Sequence, residues 1–445
     1  MPLSPLSAGP GLHAGAATVA VTPRDHVFLF GYPHVPRIST GVHDPLECAA
    51  LYLRRGDQHL LFLANDVIFV PKARVAEIRR RVHQRTGVPA EAVMVTATHT
   101  HSGPVMVDYV SNAADPVVPR ADPGYLDFFV GQVVDAAEAA VRAAVPAELG
   151  LAVAHGGGIG GNRHDPRGPA DLEVPVVSVR ALATHAPIAL MLVCAMHPTV
   201  LHEDSLVISA DFPGFTRQTL QAALGTRCPV LFHQGASGNQ SPRHVTRANT
   251  MAEAQRLGEL LGRNVLAALP AITYRADVGL SVRRTTLVAA PRTHPAPDDA
   301  AARLQAARDR FERLRAEGAT RQLVRTAECD VFGAEEALEL ARAAHDGRIP
   351  EAVAGCLPAE IQAMTIGPWT FVGWPGEFFV EFALELRRRA PGTFVITMAN
   401  GELQGYIVTE EAARRGVYES TNALFAPENG GRFVAATLAL LGAGS

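Results

Sequence analysis

The sequence predicts an α/β fold of mixed β-sheets flanked by helices, forming one large domain over residues 1–445 with a helical insertion at about 292–350. Three observations predict it. Over the first 270 or so residues, β-rich runs alternate with helical ones. Between about 292 and 350 the composition shifts to Ala/Arg/Glu-rich helical patterns. Strand–turn–helix order then returns, so sheet elements stand on both sides of those helices and mark them as an insertion.

The elements follow in order. "ALYLRR" and "QHLLFLAND" read as a hairpin turning at Arg55-Gly56-Asp57. "KARVAEIRRRVHQRTG" reads as a helix stopped by its glycine, and "AVMVTAT" as the next strand. Long helices are expected at 124–145 and 251–268, and strands at "EVPVVSVRAL", "PIALMLVCAM" and "PVLFHQG". "DDAAARLQAARDRFERLRAEG" and "AEEALELARAAHDG" form the inserted helical hairpin. "MTIGPWTFVGWPGEFFVEFALELRRR" is strand–turn–helix, "TFVITMANGE" a strand and "RFVAATLALLGAGS" a final helix. No sequence repeat or long low-complexity tract is present.

Composition removes several classes of function. The chain has 445 residues, a hydrophobic fraction of 48% and a net charge of -4. That balance supports a sizeable core and gives no reason to expect a nucleic-acid partner. Five scattered cysteines (Cys48, Cys194, Cys228, Cys329, Cys356) offer no C-x-x-C pair, against both a disulfide framework and a thiolate zinc site. No apolar window reaches the length of a membrane span. "MPLSPLSAGPGLHAG" lacks the basic and apolar regions of a signal peptide. The expectation is a cytoplasmic protein.

Chemistry-bearing residues gather after predicted strands, where α/β sheets bind ligands. "MVTATHTHSGP" supplies His99 and His101 at i and i+2, which on an extended chain share one face. "LVCAMHPT" supplies His197, "TFVGWPGE" supplies Glu377 and "MANGELQGY" ends at Tyr406. Two histidines and a carboxylate from separate strands suit zinc with a position left open for water. With 17 histidines in the chain, chance pairs also arise, and the spacing alone leaves both readings standing. "HGGGIGG" and "GASGN" are discounted: the first lacks a P-loop ending, and the second is not G-x-S-x-G.

Taken together, "GAATVAVTP", "FLFGY", "GVHDPLECAALYL", "TATHTHSGP", "GGNRHD", "AMHPTV", "ISADFPG", "HQGASGNQSP", "GWPGEFF" and "GYIVTEEAARRGVYEST" occur in the order in which similar segments occur in neutral ceramidases. The sequence thus resembles the N-terminal hydrolase domain of that family over nearly the whole chain. The resemblance implies a zinc ion held by His99, His197, Glu377 and Tyr406. It implies His101 as hydrogen-bond partner or proton shuttle, Arg163 as a holder of a substrate carbonyl or carboxylate, and Tyr418 as a donor to the oxyanion of a tetrahedral intermediate. Ser241 matches a serine tied to catalysis in the family. The implied reaction is attack of a zinc-activated water on an amide carbonyl, with no organic cofactor.

The departures bear on substrate. Where the family has N-R-S, this chain has Asn162-Arg163-His164-Asp165, and no apolar loop suited to dipping into a membrane is evident. The resemblance covers the family's N-terminal hydrolase domain only, and the family's C-terminal β-sandwich is expected to be lacking. The expected substrate is therefore a small-molecule amide, either a sphingolipid or one smaller or more polar than ceramide. An ester or lactone hydrolase using the same site is the alternative, and a non-catalytic, metal-stabilised binding protein the third reading. The protein is expected to act without a nucleic-acid partner or membrane span, as a monomer or homo-oligomer.

Overall fold

The computed structural model describes residues 11–225 and 228–442. The first ten residues, on which much of the signal-peptide expectation rests, lie outside that set. A mixed eight-stranded sheet dominates. Its strands run in the order Val230–Gln234, Pro187–Cys194, Glu173–Ala181, Val145–His155, His13–Ala20, Glu47–Arg55, Gln58–Asn65, Val93–Ala97. The pair at each edge is parallel and every other pair antiparallel.

This order is a palindrome. Each half is a first strand, a hairpin, a helix, a parallel edge strand and a second helix. In the first half the helices are Lys72–Thr86 and Pro123–Arg142; in the second they are Phe212–Leu224 and Met251–Ala268. The halves join through their first strands, at His13 with Pro146 and Ala14 with Val145. The repeat is one of topology, and the two halves share no visible sequence pattern.

Local chemistry explains the elements that position the site. The Lys72–Thr86 helix buries Val75, Ile78 and Val82 at helical spacing and stops at Gly87, whose φ of 76° a residue without a side chain adopts without strain. Asp122 caps Pro123–Arg142 by accepting from the Gly124 N–H, and Thr250 caps Met251–Ala268 by accepting from the Glu253 N–H. The 124–145 helix of the sequence reading ends earlier, at Arg142, because a strand starts at Val145. That strand, "VPAELGLAVAH", went unpredicted because Ala and Gly carry little β signal.

A second sheet, ordered Leu280–Leu287, Ala359–Ile366, Trp369–Gly373, Thr393–Ile396, packs on the first through Phe62, Met94, Met191, Leu231, Met364, Phe371 and Phe394. Its other face meets the helices Val380–Arg389 and Asn429–Leu441 through Trp374, Phe378, Leu386, Phe433 and Leu438. The segment expected as an insertion folds as the helices Pro297–Ala316, Arg321–His345 and Ile349–Cys356. All five cysteines are free and buried. No helix among the described residues is long and apolar enough to cross a membrane.

The large sheet curls until its two edge strands meet. Thr96 Oγ1 and His233 Nδ1 are 2.8 Å apart. Residues 396–400 lie between the edges as a strap: Thr397 N–H donates to Gln234 O (2.8 Å), Ala97 N–H to Met398 O (3.2 Å) and Asn400 N–H to Val95 O (2.8 Å). Reaching both edges turns the strap out of the extended conformation, and Met398 and Asn400 have φ of 52° and 62°. The strand expected over "TFVITMANGE" therefore ends at Ile396.

Asn400 is the pin of that strap. Its Oδ1 accepts from Val95 N–H at 2.9 Å, and its Nδ2 donates to Gln362 Oε1 at 2.7 Å, all in a buried setting. Asn400→Ala is expected to destabilise the protein by about 2–4 kcal/mol, from an orphaned buried N–H plus left-handed backbone strain. Urea unfolding measures this, and a midpoint within error of wild type would disprove the role.

Candidate metal centre

His99 and His101 follow the edge strand Val93–Ala97, but they do not share the face of an extended chain as their spacing suggests. His99 has φ of 69°, so the backbone turns there. The two rings converge because of that turn, with centroids 4.9 Å apart and planes at 87°. A non-glycine residue pays about 1–2 kcal/mol for this conformation, and the His99 N–H bond to Val67 O (3.0 Å) helps hold it. His197 enters from the loop after Pro187–Cys194, with its ring 4.9 Å from that of His99.

Each imidazole is oriented by a backbone carbonyl. Nδ1 of His99 lies 2.9 Å from Ile68 O, that of His101 3.0 Å from Gly31 O and that of His197 2.7 Å from Ser237 O. A carbonyl can only accept, so each Nδ1 carries a proton, and the neutral form of each ring then presents its lone pair at Nε2. Those three lone pairs face one another. His99 and His101 Nε2 are 3.4 Å apart, and suitable nitrogens of all three rings lie within 4.8 Å of one another. Glu377 Oε2 sits 3.2 Å from His99 Nε2 and 3.0 Å from His197 Nε2.

Burial and the neighbouring rings push His101 well below the usual histidine range, and burial pushes His197 down to about 4. Burial acts to raise the Glu377 carboxyl, but His99 and His197 outweigh it and hold it well below the ordinary value. Three imidazoles whose Nε2 atoms turn inward around an ionised carboxylate are a donor set suited to a divalent cation. His99, His101 and His197 form a group that could bind a metal.

Gly31 makes the His101 position available. It has φ of 120°, and a Cβ there would fall 2.4 Å from His101 Nδ1. Beside it, the fully buried Arg37 donates to His101 O (2.8 Å) and to Ser205 O (3.0 Å), clamping the histidine turn to the loop after His197. Neither Gly31 nor Arg37 was singled out from the sequence. "FLFGY" held a signal for the first, and "VPRIST" held none for the second.

The other expected residues gather around the same point. Glu377 and Tyr406 are register partners in a two-stranded parallel ladder, which brings the carboxylate and the phenol side by side. Tyr406 Oη is 3.5 Å from Tyr418 Oη. The Arg163 guanidinium lies 5.4 Å from the ring centroid of Tyr406 and 5.0 Å from that of Tyr418. Arg163 donates to Glu419 Oε1 (2.8 Å) and Gly238 O (2.5 Å), so it is fixed in place while buried. Ser241 lies in the short strand Gln240–Ser241, and its Oγ accepts from Arg243 N–H (3.3 Å). All eight expected residues line one cavity of about 390 Å³.

The insertion walls this cavity. Its Arg321–His345 helix contributes Arg325, Cys329, Phe332 and Glu336, and Gly333 lets it press onto Tyr418, where a Cβ would come within 2.6 Å. Arg325 is gripped by Glu203 (2.8 Å) and Glu328 (2.7 Å). Tyr109 Oη and Asn112 Oδ1 are buried in the wall with no protein partner, which leaves them for a ligand.

A mixed α/β fold around a buried histidine–carboxylate centre defines the class of this protein. The fold is that of the neutral ceramidases. A structure described as "Ceramidase complexed with C2" matches with a TM-score of 0.75 and 17% identity, over 98% of this chain and 75% of that one. The crystal structure of neutral ceramidase from Pseudomonas aeruginosa matches with a TM-score of 0.75 and 18% identity, over 98% and 74%. No protein-family model and no curated protein matches the chain by sequence.

Glu336, in the cavity wall, offers a test of this electrostatic setting. Burial pushes its carboxyl up to about 7, partly opposed by the Asn422 amide that donates to it at 2.6 Å. A raised carboxyl keeps its proton longer when folded, so its contribution to stability is full below the ordinary value and is lost as pH rises towards 7. Glu336→Gln is therefore expected to exceed wild type in stability at pH 8 by about 2 kcal/mol, with the gap closing towards pH ~4.5. Thermal unfolding at several pH values reads this, and a pH-independent gap would contradict it.

Proposed function

We propose that the protein is a zinc-dependent amidohydrolase of one domain that cleaves an N-acyl-type amide in a ceramidase-like site. The observation that carries the reading is the inward convergence of carbonyl-oriented Nε2 lone pairs on the Glu377 carboxylate. His99, His197, Glu377 and Tyr406 would hold the ion. The contact of Glu377 Oε2 with His99 and His197 supports this set, and its register pairing with Tyr406 brings in the fourth member. Zinc, when bound, supplies a water of lowered pKa and polarises a carbonyl.

The chain's own residues do the rest. His101 Nε2, neutral and beside the centre, accepts a proton and passes it to the leaving amine. Arg163 is held by Glu419 and Gly238 O, so its charge stands ready beside the phenols without reorganisation. Tyr418, whose pKa burial keeps raised, remains a phenol and donates to the carbonyl oxygen as negative charge develops on it. Ser241 lines the cavity as a further donor to the substrate. The charged wall of Arg321, Arg325, Glu203 and Glu328 supports an amide smaller or more polar than ceramide.

The purified protein is expected to carry about one zinc per chain. His99→Ala and Glu377→Gln should lose metal and amide hydrolysis together. His101→Ala should keep the metal while kcat falls by roughly 10²–10⁴-fold. Metal analysis beside a panel of N-acyl amides tests this, and full hydrolysis by a metal-free His99→Ala protein would refute the reading.

A further inference from the structure

Behind Tyr418 lies a second cavity, of about 720 Å³, between the insertion helices and residues 413–421. It shares only Arg243 and Tyr418 with the metal-centre cavity. The helix Pro297–Ala316 turns Ala300, Arg303, Ala307 and Arg310 towards it, and the helix Arg321–His345 turns Thr326, Asp330, Ala334 and Ala337. Both sets recur at helical spacing, so each is one face of its helix. Alanines where two packed helices would ordinarily interdigitate larger side chains leave the space open.

The lining carries a large excess of positive charge. Arg243, Arg292, Arg303, Arg310, Arg414 and Arg415 face it, against Asp330 as the one carboxylate among its lining residues. Asp330 is already bonded to Arg310. Arg414 reaches Glu410 only at 3.8 Å and in solvent. Among the described residues, no carboxylate stands within ion-pair distance of Arg243, Arg292, Arg303 or Arg415. Arg243 donates instead to neutral atoms, Thr326 Oγ1 and Cys329 Sγ, at 3.3 and 3.2 Å.

Arg292 shows what this costs. It is half-buried, and burial together with the facing Arg303 lowers its pKa. Arg217 and Arg387, which hold carboxylates elsewhere in the fold, are shifted the other way. Guanidiniums brought together with so little counter-charge repel, and this sequence places them on four separate segments around one cavity that opens to solvent at Arg303, Arg414 and Arg415. A forked donor set of that kind matches the oxygens of a phosphoryl group.

The geometry points to a second ligand site, in which Arg292 and Arg303, with Arg243, Arg310, Arg414 and Arg415 around them, bind a phosphate-type oxyanion. The ligand is either a free phosphate compound or the phosphate of a lipid headgroup, and the chemistry of recognition is the same. Bound there, it neutralises Arg414 and Arg415 beside Gly416 and steadies the turn that leads into Tyr418.

The test is calorimetric titration of the metal-loaded full chain with inorganic phosphate, at ionic strength held constant with chloride. A parallel arm measures sedimentation with vesicles containing phosphatidic acid. One phosphate should bind per chain. Arg292→Gln and Arg303→Gln should each weaken it about tenfold, with metal content unchanged. Phosphate binding alone assigns a free phosphate compound; vesicle binding that Arg292→Gln abolishes assigns a headgroup. Phosphate affinity unchanged in the double variant would place the anion on the metal and overturn the site. So would the absence of binding in both arms up to roughly 10 mM phosphate.

Discussion

The strap at residues 396–400 is the constraint on which the rest depends. An eight-stranded open sheet has two edges whose unpaired N–H and C=O groups need partners. Here the edges are brought to each other, and Gln234 O, Ala97 N–H and Val95 O are satisfied by one short segment from the second sheet. Closure has a geometric result. The chain leaving Val93–Ala97 and the chain leaving Pro187–Cys194, which belong to opposite halves of the sheet, arrive at the same place. His99 and His197 meet there, and Glu377 joins them from the segment that follows the strand Trp369–Gly373 of the second sheet.

The candidate metal centre is oriented mainly by backbone. Three imidazoles use three carbonyls from three different loops, Ile68, Gly31 and Ser237, to fix their tautomers. Any one of those loops could shift only by breaking a buried hydrogen bond and turning a lone pair away from the centre. Arg37 adds a further restraint of the same kind, because a guanidinium spent on carbonyls ties two loops without introducing a competing carboxylate near the site. Strain at His99 is the local cost, offset by the packing of its ring against Phe69 at 5.0 Å.

Much of this was legible in the sequence, and the limits have physical causes. The hairpin at Gly56, the Lys72–Thr86 helix with its glycine stop and the Met251–Ala268 helix announce themselves through periodicity and turn chemistry. The helices Pro297–Ala316 and Arg321–His345 declare themselves by composition. All eight expected site residues line one cavity, because motifs at strand ends travel with the strands. The halves' shared topology was invisible, since packing constrains hydrophobicity and volume while leaving identity free. The convergence of His99 and His101 was read as strand alternation, although it depends on a left-handed backbone at His99 that no residue type signals. Arg37 and Gly31 act through contacts some 64 and 70 positions along the chain, beyond any local pattern.

A division of labour explains how one fold can be kept at 17–18% identity. Residues that orient the centre are held by closure of the sheet, and a change in any of them disturbs buried hydrogen bonds that have no substitute. Residues that shape the space above it come from the insertion, whose helix touches the core through Gly333 on Tyr418 and through Arg325 in the grip of Glu203. Such a wall can change its polarity without loosening the donors beneath it. The same insertion carries the arginine-lined cavity on its far side, so Tyr418 stands between two spaces of different character. One mixes carboxylates, imidazoles and arginines, and the other has an excess of guanidinium. A phenol placed there feels the Arg163 guanidinium first and the Glu419 carboxylate after it, so the insertion acts on it mainly by burying it.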